Sequence, residues 1–368
     1  MKFVKLENLK NGMRLARPIY SKTGVLLFDR DTLISSQAID SVKNFGLLGI
    51  YILEPAEPLP PMSEEDKEFE RFQTMAVFSI QEELNQILTT KKQSKMQSIT
   101  DMIIKSYSRQ TGKLNFYQNL RSKDDYIFHH ALNVAILCTI IARAMNVRRE
   151  ELEQIIYAAI VHDIGKLALA GELVYSNQLT DEQQMQVFSA LMRSADAIEA
   201  AFGGDGAAIK RICNQALTAQ MDAFNNRPIS NTKMLRGAKI LMVANRYDEI
   251  TGMTLEGTAE SEVKAIREIY DNDRYYAPEV VSALVSSVNI LFPGVSVELN
   301  TGEKALVLTE NDNDILRPTV LSFKDNSIID LSLRGNRDLE IVDIMKTLDN
   351  RCIMDTEALK QAGFAVNA

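Results

Sequence analysis

The spacing of apolar positions changes character along the chain, and each change marks a different kind of structure. Over residues 1–54 the pattern is short and strand-like. The turn dipeptide Asn11-Gly12 precedes Met13 to Tyr20, which alternates toward a strand. Lys22-Thr23-Gly24 then returns the chain into Val25 to Phe28. Ser35-Ser36 can cap a short helix that carries Ile39, Val42 and Phe45 and stops at Gly46, and Leu47 to Leu53 gives a further strand. These features predict a small α+β module. Residues 55–62 hold four prolines and can continue neither a helix nor a central strand, so they read as a linker.

Beyond the linker the period becomes helical. Ser63 and Asp66 resemble a capping box, and Phe69, Phe72, Ala76, Ile80, Leu84 and Ile87 then recur at helical spacing, predicting a long connecting helix over 63–96. Its apolar stripe must dock on the next domain or pair with a second copy. From 97 to 292 apolar residues return three and four apart in 127–146, 150–163, 183–201, 207–221, 232–250, 258–270 and 277–291, with glycines between them. After Pro293-Gly294 the period returns to two. Val295 to Leu299 with Ala305 to Thr309, and Thr319 to Phe323 with Ile328 to Leu331, predict two hairpins in a module over 293–345, followed by a tail over 346–368. The predicted class is mainly α: an all-α helical domain between a small N-terminal α+β module and a small C-terminal β module.

Composition narrows the functions open to such a chain. At 368 residues, 46% hydrophobic and 24% charged, it has ample material for packed cores. A formal charge of −8 excludes a nucleic-acid-coating surface, which needs clustered positive charge. Cys138, Cys213 and Cys352 lie far apart and form no C-x-x-C pair, so neither a disulfide framework nor a zinc ribbon is indicated. The N-terminal residues lack a signal-peptide core, and the most apolar run, Val134 to Ala142, is short of the ~20 residues that span a bilayer. A cytoplasmic location without membrane attachment is the expectation. There are only three histidines, at 129, 130 and 162.

The chemistry concentrates in Val161-His162-Asp163-Ile164-Gly165-Lys166, at the end of an apolar helix. Adjacent His and Asp can reach one cation, through a neutral imidazole nitrogen and an anionic oxygen. Gly165 is expected to let the backbone turn sharply behind them, and Lys166 is placed to meet an anion such as phosphate. Upstream, Asp124-Asp125 starts a helix as a cap and dipole feature, and His129 and His130 follow. Successive helical residues differ by about 100°, so one of these histidines can face a site shared with His162, and His129 reads as a half-exposed surface residue. The plainest alternative makes His162-Asp163 a buried polar pair with Lys166 pairing outside it. The fifteen methionines read as core gap-fillers, and Gly203-Gly204 and Gly206 follow no strand, so no phosphate-cradling loop is expected there.

The ordered blocks His130-x-x-Asn133-Val134-Ala135, His162-Asp163-Ile164-Gly165-Lys166 and Val243-Ala244-Asn245-Arg246-Tyr247-Asp248 resemble the HD superfamily of metal-dependent phosphohydrolases. More closely they resemble its HD-GYP branch, which hydrolyses the bacterial messenger cyclic di-GMP. The flanking modules resemble those often joined to HD-GYP domains. The resemblance implies that His130, His162 and Asp163 descend from metal ligands, that Lys166 descends from a phosphate contact, and that Asn245 stands where the family has a metal-bridging aspartate. It also implies losses. Phe188 lies nearest to a further family histidine, and the stretch Ala219 to Pro228 lacks the histidines, glycines and tyrosine of the name-giving motif.

The family's two- or three-metal centre therefore cannot form from three histidines. A weak or vestigial site of His130, His162, Asp163 and Asn245 could hold one divalent cation (iron, manganese, zinc or magnesium), with Asp163 and Lys166 as vestigial catalytic groups. Replacing an anionic ligand by an amide should weaken binding at least as much as the ~10–100-fold typical of losses around a ligand shell. Asp248, three residues on from Asn245 and on a neighbouring face, is a carboxylate that could partly stand in. The expected function is that of a signalling protein of HD-GYP descent with an impaired phosphodiesterase centre, acting by binding cyclic di-GMP, another nucleotide or a partner protein, with a homodimer as one arrangement. The alternatives are an active metal-dependent phosphodiesterase using the reduced site and a purely structural module.

Overall fold

The computed structural model describes residues 2–44, 49–53, 62, 64–108, 112–114, 116, 121, 125–175, 179–229, 233–252 and 260–344. Most of the expected linker, the cap residue Ser63, the expected helix stop at Gly46, Asp124, Cys352 and the C-terminal tail lie outside these residues.

The N-terminal module is built on β1 (Lys2–Lys5), β2 (Arg14–Leu15), β3 (Ile19–Tyr20), β4 (Leu26–Phe28), α1 (Ser36–Asn44) and β5 (Gly49–Leu53). Strands β1, β5 and β2 form one antiparallel sheet, and β3 and β4 form a hairpin. The strand expected over Met13 to Tyr20 is two short strands, because Pro18 between them has no N–H to give a ladder. Gly12 adopts φ +83°, which the turn requires, and Ser35 Oγ accepts the Ala38 amide at 3.1 Å as the helix cap. Val4, Leu15, Ile34, Val42, Ile50 and Ile52 make a core of their own.

The long connecting helix is α2 (Glu64–Thr90), which breaks before α3 (Met96–Tyr107). The apolar stripe of α2 docks: Ala76, Ile80, Leu84 and Ile87 are fully buried in the helical core. Burying each of the three larger side chains stabilises the dock by about 1.5–3 kcal/mol. The N-terminal module leans on the outer face of α2, where Arg17 donates to Glu70 at 2.7 Å and lies over the Tyr51 ring.

The helical domain continues through α4 (Tyr126–Ala144), α5 (Arg149–Val161), α6 (Gly171–Tyr175), α7 (Asp181–Phe202), α8 (Gly206–Phe224), α9 (Arg236–Thr251), α10 (Glu262–Asp271) and α11 (Pro278–Val285). Helix α4 is the central rod, with apolar residues on every side because other helices surround it. By length and hydropathy it could cross a membrane, but 83% of its most apolar stretch is buried in protein. The helix expected over 277–291 ends at Val285, and Val288 pairs with Leu114 in an isolated bridge.

The C-terminal module is one antiparallel sheet in the order β10-β6-β7-β8-β9, from β6 (Ser296–Leu299), β7 (Lys304–Thr309), β8 (Thr319–Ser322), β9 (Ile328–Asp330) and β10 (Ile341–Ile344). Both expected hairpins are present. Strand β10 carries no strong local signal and exists because it pairs with the distant β6. Val297, Leu299, Val307, Val320 and Ile341 join the core of the helices, so this module packs directly on the bundle.

Candidate functional site

The site lies where α4, α9 and the C-terminal end of α5 meet. His130 comes from the first turn of α4, Asn245 from the middle of α9, and His162 and Asp163 from the residues that close α5 and begin a 3-10 turn at Ile164–Ala168. Gly165 serves that turn differently from the expectation. Its φ is not in the left-handed region; a Cβ there would lie 2.5 Å from the Ala190 carbonyl oxygen and 2.9 Å from Leu191 Cα. Glycine is needed for the close approach of α7, not for a backbone turn. Helix α7 is set in place by a capping box between Thr180 and Gln183, a signal visible in the sequence.

His130, His162 and Asp163 bring one donor atom each within 4.8 Å of one another, the one such group of three among the described residues. Asp163 lies 3.5 Å from His130 Nε2 and 3.7 Å from His162 Nε2. Asn245 Oδ1 lies 2.8 Å from His130 Nε2 and 3.0 Å from His162 Nε2. His130, Asp163 and Asn245 are buried, and His162 is half-buried. His129 faces away, its Nε2 3.5 Å from Asp125, and Asp125 gives α4 no side-chain cap because its carboxylate turns to that histidine.

Each imidazole is oriented from behind. His130 Nδ1–H donates to Asp248 at 2.6 Å, and His162 Nδ1–H donates to the Ala159 carbonyl at 2.8 Å. Those bonds leave both Nε2 atoms aimed into the cluster. Burial pushes the His162 pKa down, against the pull of Asp163, so this ring presents a lone pair to Asn245 Oδ1. An oxygen and a nitrogen lone pair 3.0 Å apart do not bond; a cation between them does. Bonds of 2.0–2.2 Å to a tetrahedral ion separate its donors by about 3.3–3.6 Å, inside the 2.8–3.7 Å range of the spacings present here. The donor set therefore fits one divalent ion, with imidazoles held as metal-binding imidazoles are.

Charge in the site is balanced locally. Burial alone would raise the Asp163 carboxyl, but Lys166, then His162 and His130, hold it below the usual carboxylate range. Lys166 Nζ donates to Asp163 at 2.6 Å, which keeps its ammonium charged despite burial. Asp248 is fully buried, which alone would raise its carboxyl, but Arg121 and His130 together hold it down. Arg121 donates to it at 2.6 Å and Asn133 at 3.1 Å. Asp248 thus stands behind His130, not beside the donors, and its oxygens are engaged. The Tyr126 ring stacks on His130 at 5.7 Å, and burial pushes its phenol up to about 12, so it stays neutral.

Outside the cluster a cleft of about 670 Å³ opens between α7, α8, α9 and the residues after α10. Phe188 is buried in its wall and meets Phe224 edge to face at 5.7 Å. Ala219, Gln220 and Phe224 face the same cleft, as do Lys166, Arg246 and Glu249. The sequence did not single out Arg121 or Glu249. Arg121 belongs to no motif or periodic segment of the sequence, and Glu249 is recognisable only through its i,i+4 spacing from Asn245.

A family model described as "HD domain" matches residues 127–250, from the first turn of α4 to the end of α9. Over residues 127–250 the chain is similar to the HD family. A curated relative, cyclic di-GMP phosphodiesterase PA4108 of Pseudomonas aeruginosa, is 24% identical over 260 residues, which cover 65% of this chain and 60% of the relative. The chain thus spans about three fifths of the length of that relative. Together with the ordered blocks it supports membership of the HD-GYP branch. Among solved structures, Bd1817, an HDG"Y"P protein from Bdellovibrio bacteriovorus, is similar at 13% identity and a TM-score of 0.45, over 77% of this chain and 97% of that one.

Proposed function

We propose that this HD-GYP protein is a cytoplasmic signalling protein that binds a cyclic dinucleotide such as cyclic di-GMP, or another nucleotide, without two-metal hydrolysis. The observation that carries the reading is the wall of the cleft. Phe188 and Phe224 form an aromatic pair where further imidazoles would be needed, and Ala219 and Gln220 add no strong ligand. Two-metal phosphoryl chemistry clamps the attacking and leaving oxygens between ions about 3.5–4 Å apart, and one cluster of His130, His162, Asp163 and Asn245 supplies donors for one ion.

The cleft has the size of a nucleotide site and the right surfaces for one. Its volume falls within the ~300–1,000 Å³ typical of small-molecule pockets. Tyr126, Tyr275, Tyr276 and the phenylalanine pair offer faces for bases, while Lys166 and Arg246 offer cations. Glu249, Glu260 and Glu268 also line it and outnumber those two cations. An anionic ligand therefore gains from an ion at the cluster. The test is to incubate purified full-length protein with cyclic di-GMP and manganese and to measure binding and turnover separately. Binding without linear or mononucleotide product supports the reading. Turnover abolished by Asp163→Ala overturns it.

One observation favours the rival, a mononuclear phosphohydrolase. The hydrogen bonds from His130 to Asp248 and from His162 to Ala159 are of the kind that orient metal-binding imidazoles. Against this reading, the one acidic donor, Asp163, is neutralised by Lys166, which leaves the cluster without an anionic base for the attacking water.

A further inference from the structure

Asn245 can serve a cation only through its oxygen, and an amide has two ends. What fixes the end that faces the imidazoles is the next turn of α9. Asn245 Nδ2 donates to Glu249 Oε1 at 3.0 Å. A carboxylate only accepts, so the amide nitrogen must face Glu249 and the oxygen must face His130 and His162. Glu249 is itself held, since its other oxygen accepts from Arg246 Nη1 at 3.3 Å, and Arg246 is tied to Glu268 through Nε at 2.7 Å. Glu249 lies four residues after Asn245 and three after Arg246, so it is the one-turn neighbour of both. A charged acceptor on the nitrogen also polarises the amide and enriches its oxygen, at a site where an anionic ligand has been replaced by a neutral one.

We infer that Glu249 is a positioning residue that makes Asn245 a cation ligand, locking the amide oxygen toward the His130–His162–Asp163 cluster and lending it negative charge through one hydrogen bond. This rests on the reading that the cluster takes a single divalent ion. Glu249 need not touch the ion, and removing it should act through the orientation of Asn245.

The test is titration of the metal-stripped full-length chain with Mn²⁺ by calorimetry, together with thermal unfolding of the same metal-free proteins. The wild type should take up one ion, and His162→Ala should take up none. Glu249→Met, which keeps the bulk but removes the acceptor, and Glu249→Ala should each weaken Mn²⁺ binding about 10–100-fold, the range for partners of ligands. Glu249→Gln, whose amide oxygen can accept the same hydrogen bond, should recover most of that loss, whereas a purely structural role would move unfolding temperature and not this affinity series. Wild-type affinity in both Glu249→Met and Glu249→Ala, with His162→Ala inactive in binding, overturns the inference and leaves the single-ion reading standing. No uptake by the wild type overturns both.

Discussion

Asp248 accepts the Nδ1 proton of His130 at 2.6 Å while neither side chain has any exposure to solvent. That bond joins the candidate site to the stability of the fold, because the same carboxylate takes the charge of buried Arg121 at 2.6 Å. The pair is enclosed, so removing one member strands the other.

Asp248→Ala and Arg121→Ala should each destabilise the protein by about 3–5 kcal/mol, the cost of leaving a buried charge uncompensated. Denaturant unfolding followed by circular dichroism checks this. The double variant should lose much less than the sum of the two, since the second change removes the charge that the first exposed.

Asp248 also sets a pH dependence for the metal-free chain. Its folded-state carboxyl lies below the ordinary value near 3.9. A depressed carboxyl contributes stability above the unfolded-state pKa and loses it as pH falls toward the folded-state value. Stability should therefore hold above pH ~4 and decline below it, and Asp248→Asn should flatten that decline in acid-unfolding curves.

Gly165→Ala should separate the His162-Asp163 turn from α7. The new methyl would meet backbone atoms of Ala190 and Leu191, which cannot rotate away as a side chain can. A loss of about 1–3 kcal/mol is expected, typical of overpacking, together with reduced metal uptake by the same protein. Thermal unfolding and calorimetry on one sample measure both.

Asn245→Asp should raise divalent-cation affinity at least tenfold by restoring an anionic donor, without producing cyclic di-GMP hydrolysis. Chromatography of the nucleotide products checks the second half. Full activity in this variant would show that the missing imidazoles matter less than Phe188 and Phe224 imply.

The helices were legible in the sequence because periodicity is local and decides burial on α4 and α9, and the His-Asp pair was legible because it shares one turn. The meeting of His130 with Asn245, 115 residues away, was expected only through the family resemblance. What escaped was non-local. Strand β10 exists only through β6, some forty residues away, and Arg121 becomes meaningful only when α9 brings Asp248 beside it. Gly165 was read for its own backbone freedom, whereas its necessity comes from α7 passing against it. Asp248 was placed as a stand-in ligand from its helical face, but its direction is set by Arg121 and His130, which spacing along α9 cannot reveal.

The most direct test is the number of metal ions that the folded chain holds. Elemental analysis of protein purified without chelator should find one iron, manganese, zinc or magnesium ion per chain, lost in His162→Ala, with cyclic di-GMP left intact. Two ions per chain, with turnover of cyclic di-GMP that Asp163→Ala abolishes, would contradict the account.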